Sequence, residues 1–297
     1  MAQEITLTTA TRTNLLSLQN TTSLIGRMQE RLATGLKVNS AIDDALAFFK
    51  ARNLNSRASD LQSIKDEITG GINIIKAAVT GLESMENMLK QMKALAQSAV
   101  SAPESSTRAK LASQFNELRS QVDNIAEDSS FNGVNLLKNS TAAFQGGADS
   151  LTVKFNERTE ASAINQLVIS GLRTTDYGSI MGRSALSTGA AGNTTVWGQT
   201  GSAAIKAINT CLRAIESGLM TVRQNAQSFG TNSSLLQIRV DFTSRIITTL
   251  KGGAADLVNA DMNEESANLL SLQTRQQLGT ISLSIAQKSE EAILRLF

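Results

Sequence analysis

Two stretches of this sequence carry a seven-residue apolar repeat that confines most of the chain to long helices packed along shared seams. From Leu61 to Ala99 one column of the repeat reads Leu61, Ile68, Ile75, Leu82, Leu89 and Ala96, and the other reads Ile64, Gly71, Ala78, Met85, Met92 and Ala99. Only Gly71 breaks the apolar rule. A strand alternates with period two and could not hold this pattern on one face, so the run predicts a helix of about 58 Å at about 1.5 Å per residue, ending near Pro103. The second run is longer: Ile205, Leu212, Leu219, Ala226, Ser233, Val240 and Ile247 in one column, and Ile208, Ile215, Val222, Phe229, Leu236, Thr243 and Leu250 in the other. It predicts a helix of about 69 Å, loosened near Gly230 to Ser234.

Shorter patterns fill the gaps. Leu111, Phe115, Leu118, Val122 and Ile125 alternate spacings of four and three, which predicts a helix folding back on the first, and Asn132-Gly133 then marks a turn. Near the start Leu18, Ile25 and Leu32 recur every seven residues with Met28 between them; near the end Leu278, Ile281, Ile285, Ala292 and Leu296 form one face. Each of these end helices has only the other to cover it. Amphipathic helices draw most of their stability from packing, so both are expected to fray in a free monomer and to order in contact with neighbours.

Residues 141–200 differ in kind. They hold 8 of the 20 glycines, the lone Tyr177 and the lone Trp197, and two strand-like pieces at Leu151–Phe155 and Gln166–Ser170. The expected fold is therefore mainly α: a long antiparallel coiled-coil-like helical bundle, a rod with nested N- and C-terminal helices and a small β-rich insert. Its expected domains are a terminal-helix assembly domain of 1–40 plus 258–297, a helical rod of 41–140 plus 201–257, and the insert at 141–200, too small for a core of its own and leaning on the rod.

Composition narrows the function. The 297 residues include no His and one Cys, Cys211, which removes His-based triads, His-ligated zinc, CxxC pairs and an internal disulfide. Any enzyme would have to run on carboxylates, Lys or Tyr, so no enzyme, cofactor or metal site is expected. A net charge of +2, with no window joining Lys and Arg to aromatics, argues against nucleic acid. No apolar run reaches the roughly 18 residues of a membrane span, and the first residues lack the basic and apolar regions of a secretory signal, leaving the cytoplasm or export by another route.

The segment RLATGLKVNSAIDDALAF, Arg31–Phe48, together with ESMENMLKQMKALAQSA, FNGVNLL at Phe131–Leu137 and the run from Leu257 to Phe297, resembles bacterial flagellins, most of all the short ones of alphaproteobacteria. The matching motif residues are Arg31, Leu32, Gly35, Asn39, Ser40, Ala41, Asp43, Asp44, Phe131, Asn132 and Gly133. The resemblance implies a self-assembling structural subunit of the flagellar filament, exported through the flagellar type III apparatus with an export chaperone and inserted beneath the filament cap beyond the hook-associated proteins. It also implies an extracellular filament whose inner tube is lined by the end helices, with Leu18, Ile25, Met28, Leu32, Leu278, Ile281, Ile285, Ala292 and Leu296 carrying self-assembly. Near-absence of Pro and Cys suits a chain that must travel unfolded and refold.

Two departures from the family pattern stand out. Flagellins commonly have Gly-Leu after D-D-A-A, whereas Asp43-Asp44-Ala45 is followed here by Leu46-Ala47-Phe48-Phe49. Where many are read by Toll-like receptor 5 through a pattern like L-Q-R-x-R-E-L, this chain has Leu89-Lys90-Gln91-Met92-Lys93-Ala94-Leu95, short of one Arg and the Glu. Weak or absent recognition is expected, because a guanidinium is a bidentate donor favoured at interfaces.

Other candidate sites read as structural. Asp43-Asp44 reads as capping or subunit contact, with Ser40 as a helix start. Glu264-Glu265 and Glu290-Glu291 read as solvated or first-turn charges, Lys90 and Lys93 as a solvated face, Met85, Met88 and Met92 as core filling, and Cys211 as a small buried hydrophobe. Trp197 and Tyr177 read as packing of the insert onto the rod rather than carbohydrate contact. Two rivals to the filament subunit remain. One is a hook-filament junction protein, against which stands Asn39-Ser40-Ala41 where junction proteins usually have a Pro before Ser-Asp-Asp. The other is an adhesin or sugar-binding protein using the insert.

Overall fold

A computed structural model describes residues 9–137, 150–157, 165–172, 197–198 and 202–294. In chain order the elements are α1 (Thr9–Thr34), α2 (Ala45–Ser101), α3 (Ser105–Asp128), β1 (Ser150–Lys154), β2 (Gln166–Ser170), α4 (Ser202–Val258) and α5 (Met262–Leu294). Among the described residues the fold is mainly α, as the apolar period predicts, with one small antiparallel hairpin. The chain divides into two compact units, residues 59–247 and residues 1–58 with 248–297.

In the unit 59–247 all twelve α2 seam positions from Leu61 to Ala99, Gly71 included, are buried. Each fully buried Leu, Ile or Met contributes about 1.5–3 kcal/mol relative to exposure. The pairing of α2 with α4 is fixed by three contacts flanking the seam: Lys65 Nζ to Ser244 Oγ at 3.4 Å, Glu86 Oε1 to Arg223 at 2.9 Å, and Lys93 to Glu216 at 2.8 Å. Every advance along α2 is matched by an equal retreat along α4, so the two run antiparallel in constant register, the three contacts recurring on one side of the seam at whole numbers of heptads. The exposed ion pairs add little stability, about 0–1 kcal/mol each.

On α4 one column is buried from Ile208 through Ile215, Val222, Phe229 and Leu236 to Thr243, and its last member, Leu250, is half-buried. The other is buried only in part. Ile205 is 43% exposed, and Ala204, Cys211 and Gly218, each one residue earlier than the column, take the buried places in the first third. Leu219 and Ile247 of that column are buried as well, while Leu212, Ala226, Ser233 and Val240 are half-buried. The loosening expected near Gly230 does not occur: α4 is continuous there, because buried Phe229 and Leu236 anchor both sides.

Helix α2 ends at Ser101, before Pro103, where the Arg108 guanidinium donates to the carbonyls of Ala102 at 2.8 Å and Pro103 at 3.0 Å. Helix α3 then folds back. It buries Ala112, Phe115, Val122 and Ala126, while Leu111, Leu118 and Ile125 are half-buried, a face turned slightly from the one the spacing predicts. Beyond it, Phe131 and Val134 exchange backbone hydrogen bonds of 3.0 and 3.1 Å around Asn132 (φ 50°) and Gly133 (φ 80°), a type I′ turn.

Strands β1 and β2 pair antiparallel with Leu151 opposite Ile169, both buried. The hairpin rests on Gly71: a Cβ there would stand 2.9 Å from Val153 Cγ2, 3.6 Å from Leu151 and 3.7 Å from Leu236 of α4. The one gap in the apolar seam is thus the seat of the insert. Trp197 is 1% exposed, 5.1 Å from the Phe115 ring, and its carbonyl accepts from Arg108 Nε at 3.0 Å. Tyr177 lies outside the described residues.

In the other unit α1 and α5 pack together. The α1 seam is Thr11, Leu18, Thr21, Ile25, Met28 and Leu32; that of α5 is Glu265, Leu269, Leu272, Gln276, Gly279, Leu283 and Ala286. This corrects the sequence reading of α5. Leu278, Ile281 and Ile285 are not covered by α1 but are 63%, 57% and 64% exposed. Close approach marks the face: a Cβ on Gly279 would stand 3.0 Å from Leu18 Cδ1, tighter than ordinary van der Waals contact. The side chain of Ala292, Leu296 and the side chains of Glu290 and Glu291 lie outside the described residues.

Candidate self-assembly surface

The loop between α1 and α2 is built by short polar signals acting on the backbone. Gly35, at φ 70°, donates its N–H to Arg31 O at 2.8 Å and closes α1 in the left-handed conformation that only Gly takes cheaply. The chain then clasps the α4–α5 loop. Lys37 N donates to Val258 O at 2.8 Å, Ala260 N to Gly35 O at 2.9 Å, and the Lys37 ammonium to Asp256 O at 3.0 Å.

Asp43 and Asp44 divide the capping work. Asp43 Oδ2 accepts from Ser40 N at 2.9 Å, Ser40 Oγ at 3.0 Å and Asn39 N at 3.1 Å, and these bonds, the Ser40 N–H foremost, hold its carboxyl below the usual range. Asp44 Oδ1 accepts from Ala47 N at 3.0 Å, so it and not Ser40 caps α2. Asn39 Nδ2 donates to Glu30 at 3.3 Å, and Ala41 is half-buried. Arg31 Nη1 meets Glu265 Oε1 at 3.1 Å across α1 and α5, beside half-buried Leu32. The reading of Glu264-Glu265 therefore splits. Glu264 is exposed in the first turn of α5, whereas Glu265, also in that turn, is only 8% exposed and ion-paired.

The motif residues at the other end of the match are the exposed turn Phe131, Asn132 and Gly133, far in sequence from the first group and in the other unit. Lys90 pairs with Glu86 at 3.0 Å, and that contact, ahead of the one from Arg223, lowers the Glu86 pKa. Met85 and Met92 are in the core and Met88 is half-buried. Cys211 is 1% exposed, and burial pushes its thiol up to about 12. Among the described residues, no group of three His, Cys, Asp or Glu side chains could hold a metal ion, and no helix is long and apolar enough to cross a membrane.

What the fold leaves uncovered is apolar. Leu270, Leu278, Ile281 and Ile285 stand more than half exposed along one side of α5, Leu16 is 61% exposed on α1, and Leu46 and Phe49, at the departure from the family pattern, are 67% and 55% exposed on α2. A run of this size on a helix marks an interaction surface. Leu270 is the α5 member of this surface that the sequence analysis does not name. A residue four before Thr274 and eight before Leu278 does belong to the α5 stripe, and that spacing was the available signal. Asp261, which caps α5 by accepting from Asn263 N at 2.8 Å and Glu264 N at 3.4 Å, was legible as an Asp ahead of paired Glu residues.

The chain is similar to known proteins along most of its length. Residues 5–142 match the bacterial flagellin N-terminal helical region and residues 212–297 the bacterial flagellin C-terminal helical region. Flagellin FljO of Caulobacter vibrioides is 34% identical over 290 residues, covering 95% of each chain. Flagellin C of Rhizobium meliloti is 26% identical over 91% of each chain, and a flagellin of Brucella melitensis is 25% identical over 96% of this chain and 95% of its own. A crystal structure of Bacillus cereus flagellin aligns with a TM-score of 0.46 at 16% identity, covering 60% of this chain and 88% of the other.

Proposed function

This chain belongs to the bacterial flagellin family and is a structural subunit of the flagellar filament, and we propose that it polymerises through the outward stripe of α5. The supporting observation is that Leu278, Ile281 and Ile285 are each more than half exposed on a helix whose other face already has α1 as partner. Leu18, Ile25, Met28 and Leu32 hold α1 against α5 within one subunit, and α5 then presents its stripe, continued in sequence by Ala292 and Leu296, to neighbours. An open helical polymer follows when the complementary surface is a different patch on the next copy. On this reading residues 1–40 with 258–297 form the assembly layer, 41–140 with 201–257 the rod, and 141–200 a thin exterior; the ends order fully only in the filament. The chain leaves the cell through the flagellar export apparatus with its chaperone, meets the hook-associated and cap proteins, and functions outside the cell.

The test is seeded growth on short filaments. Deleting Ile281–Phe297 leaves a soluble, helical monomer that does not elongate them, and Ile281→Asp with Ile285→Asp does the same without loss of helix, since both side chains are exposed in the monomer. Normal elongation by the double variant defeats the assignment. Recognition by Toll-like receptor 5 is weak, because Gln91 and Ala94 stand where the pattern has an Arg and the Glu, and Lys93, in place of the other Arg, is a point charge engaged with Glu216. A strong response to purified monomer in a receptor reporter assay refutes that.

A further inference from the structure

We propose that Asn132 is a site of spontaneous covalent modification, converting to aspartate and isoaspartate through a succinimide. The reaction needs a main-chain N–H free to lose its proton and a carboxamide free to be attacked. Gly133 N attacks Asn132 Cγ, the new C–N bond closes a five-membered ring, and the side-chain nitrogen leaves as ammonia. Water then opens either ring carbonyl. Cleavage of the bond to Cγ restores the main chain with Asp, and cleavage at the α-carbonyl routes it through Cγ as isoaspartate. Nothing is oxidised or reduced.

Both requirements are met at this turn. Asn132 and Gly133 are exposed, and the two backbone bonds of the turn belong to Phe131 and Val134, so among the described residues neither the Gly133 N–H nor the Asn132 carboxamide has a partner. No atom lies within 4 Å of where a Gly133 Cβ would be, so the ring has room to form. Glycine also places no side chain beside the attacking nitrogen.

The other candidate pairs are locked. Asn39-Ser40 is exposed too, but Ser40 N donates to Asp43 Oδ2 at 2.9 Å and Asn39 Nδ2 to Glu30 at 3.3 Å. Asn55-Ser56 and Asn232-Ser233 lie inside α2 and α4, where the attacking N–H is held in the helix ladder. At Asn259-Ala260 the Ala260 N–H is donated to Gly35 O at 2.9 Å. Among the described residues, to which Asn139-Ser140 does not belong, the structure thus selects one asparagine. Its conversion adds a negative charge and, as isoaspartate, an extra main-chain carbon to a turn three residues before Asn135, whose Nδ2 donates at 2.9 Å to both Ala126 O and Glu127 O at the end of α3.

The test is to age the purified full chain, as monomer and as filament, in mildly alkaline buffer and map amide-to-acid exchange by peptide mass spectrometry, with enzymatic methyl labelling to report isoaspartate. Exchange is expected at Asn132 at least about tenfold faster than at Asn39, the factor a charge-assisted hydrogen bond is worth. Asn132→Gln, which would have to close a six-membered ring, abolishes the fast phase while helix content stays unchanged. The proposal is overturned if Asn132 survives in the folded chain while converting in urea, or if Asn39 converts as fast as Asn132.

Discussion

Three glycines of similar appearance in the sequence do different work once neighbours are present. Gly71 and Gly81 lie under packed side chains: a Cβ on Gly81 would collide with the Ser129 side chain and come within 2.7 Å of Leu137, while Gly230 has nothing within 4 Å. Gly81→Ala should therefore cost about 1–3 kcal/mol through overpacking of α3's end against α2. Gly230→Ala, in an exposed turn of α4, should gain about 0.5–1 kcal/mol by helix propensity alone. Opposite shifts of the urea midpoint are the expected result, and shifts of the same sign would show that propensity rather than space governs Gly81. Nothing local distinguishes these glycines. Gly71 could be singled out only as the one gap in an apolar column, and what fills the gap comes from Leu151 and Val153, about 80 residues later.

At the scale of the element, periodicity established that α1 to α5 exist, but faces and ends obeyed finer rules. α2 starts at Ala45, set by the Asp44 cap, and α5 at Met262, set by Asp261. Asp261→Ala removes two acceptor contacts from the first turn of α5 and should cost that helix about 1 kcal/mol. Hydrogen exchange at residues 262–265 should then speed up while the α2 seam stays protected; unchanged exchange there would mean that the Arg31–Glu265 pair, not the cap, holds the turn. The face of α5 was the hardest feature to read, because the helix carries two stripes. Leu269, Leu272, Leu283 and Ala286 on one side and Leu270, Leu278, Ile281 and Ile285 on the other are equally apolar. The second is bulkier, but α1 packs where Gly279 lets it approach.

At the scale of the molecule, the lone Trp makes the relation of insert to helices measurable. Trp197 is buried against Phe115 and tied through its carbonyl to Arg108, so its fluorescence should report the same unfolding event as the largest loss of helical circular dichroism in denaturant. An earlier fluorescence change would mean that the segment carrying Trp197 comes away from α3 before the helices unfold. Packing of Trp197 agrees with the sequence preference for a structural rather than a carbohydrate-contacting role. The sequence by itself determined what depends on spacing and neighbours along the chain: the long helices, the Asn132-Gly133 turn, the two short strands and the family to which the motifs belong. Only the tertiary structure decided which α5 stripe is covered, which positions of α4 are buried, why Gly71 interrupts the column and that Glu265 is paired. A repeat specifies which residues share a side of a helix, whereas burial depends on the shape of whatever arrives opposite, from sequence distances at which no local pattern carries information.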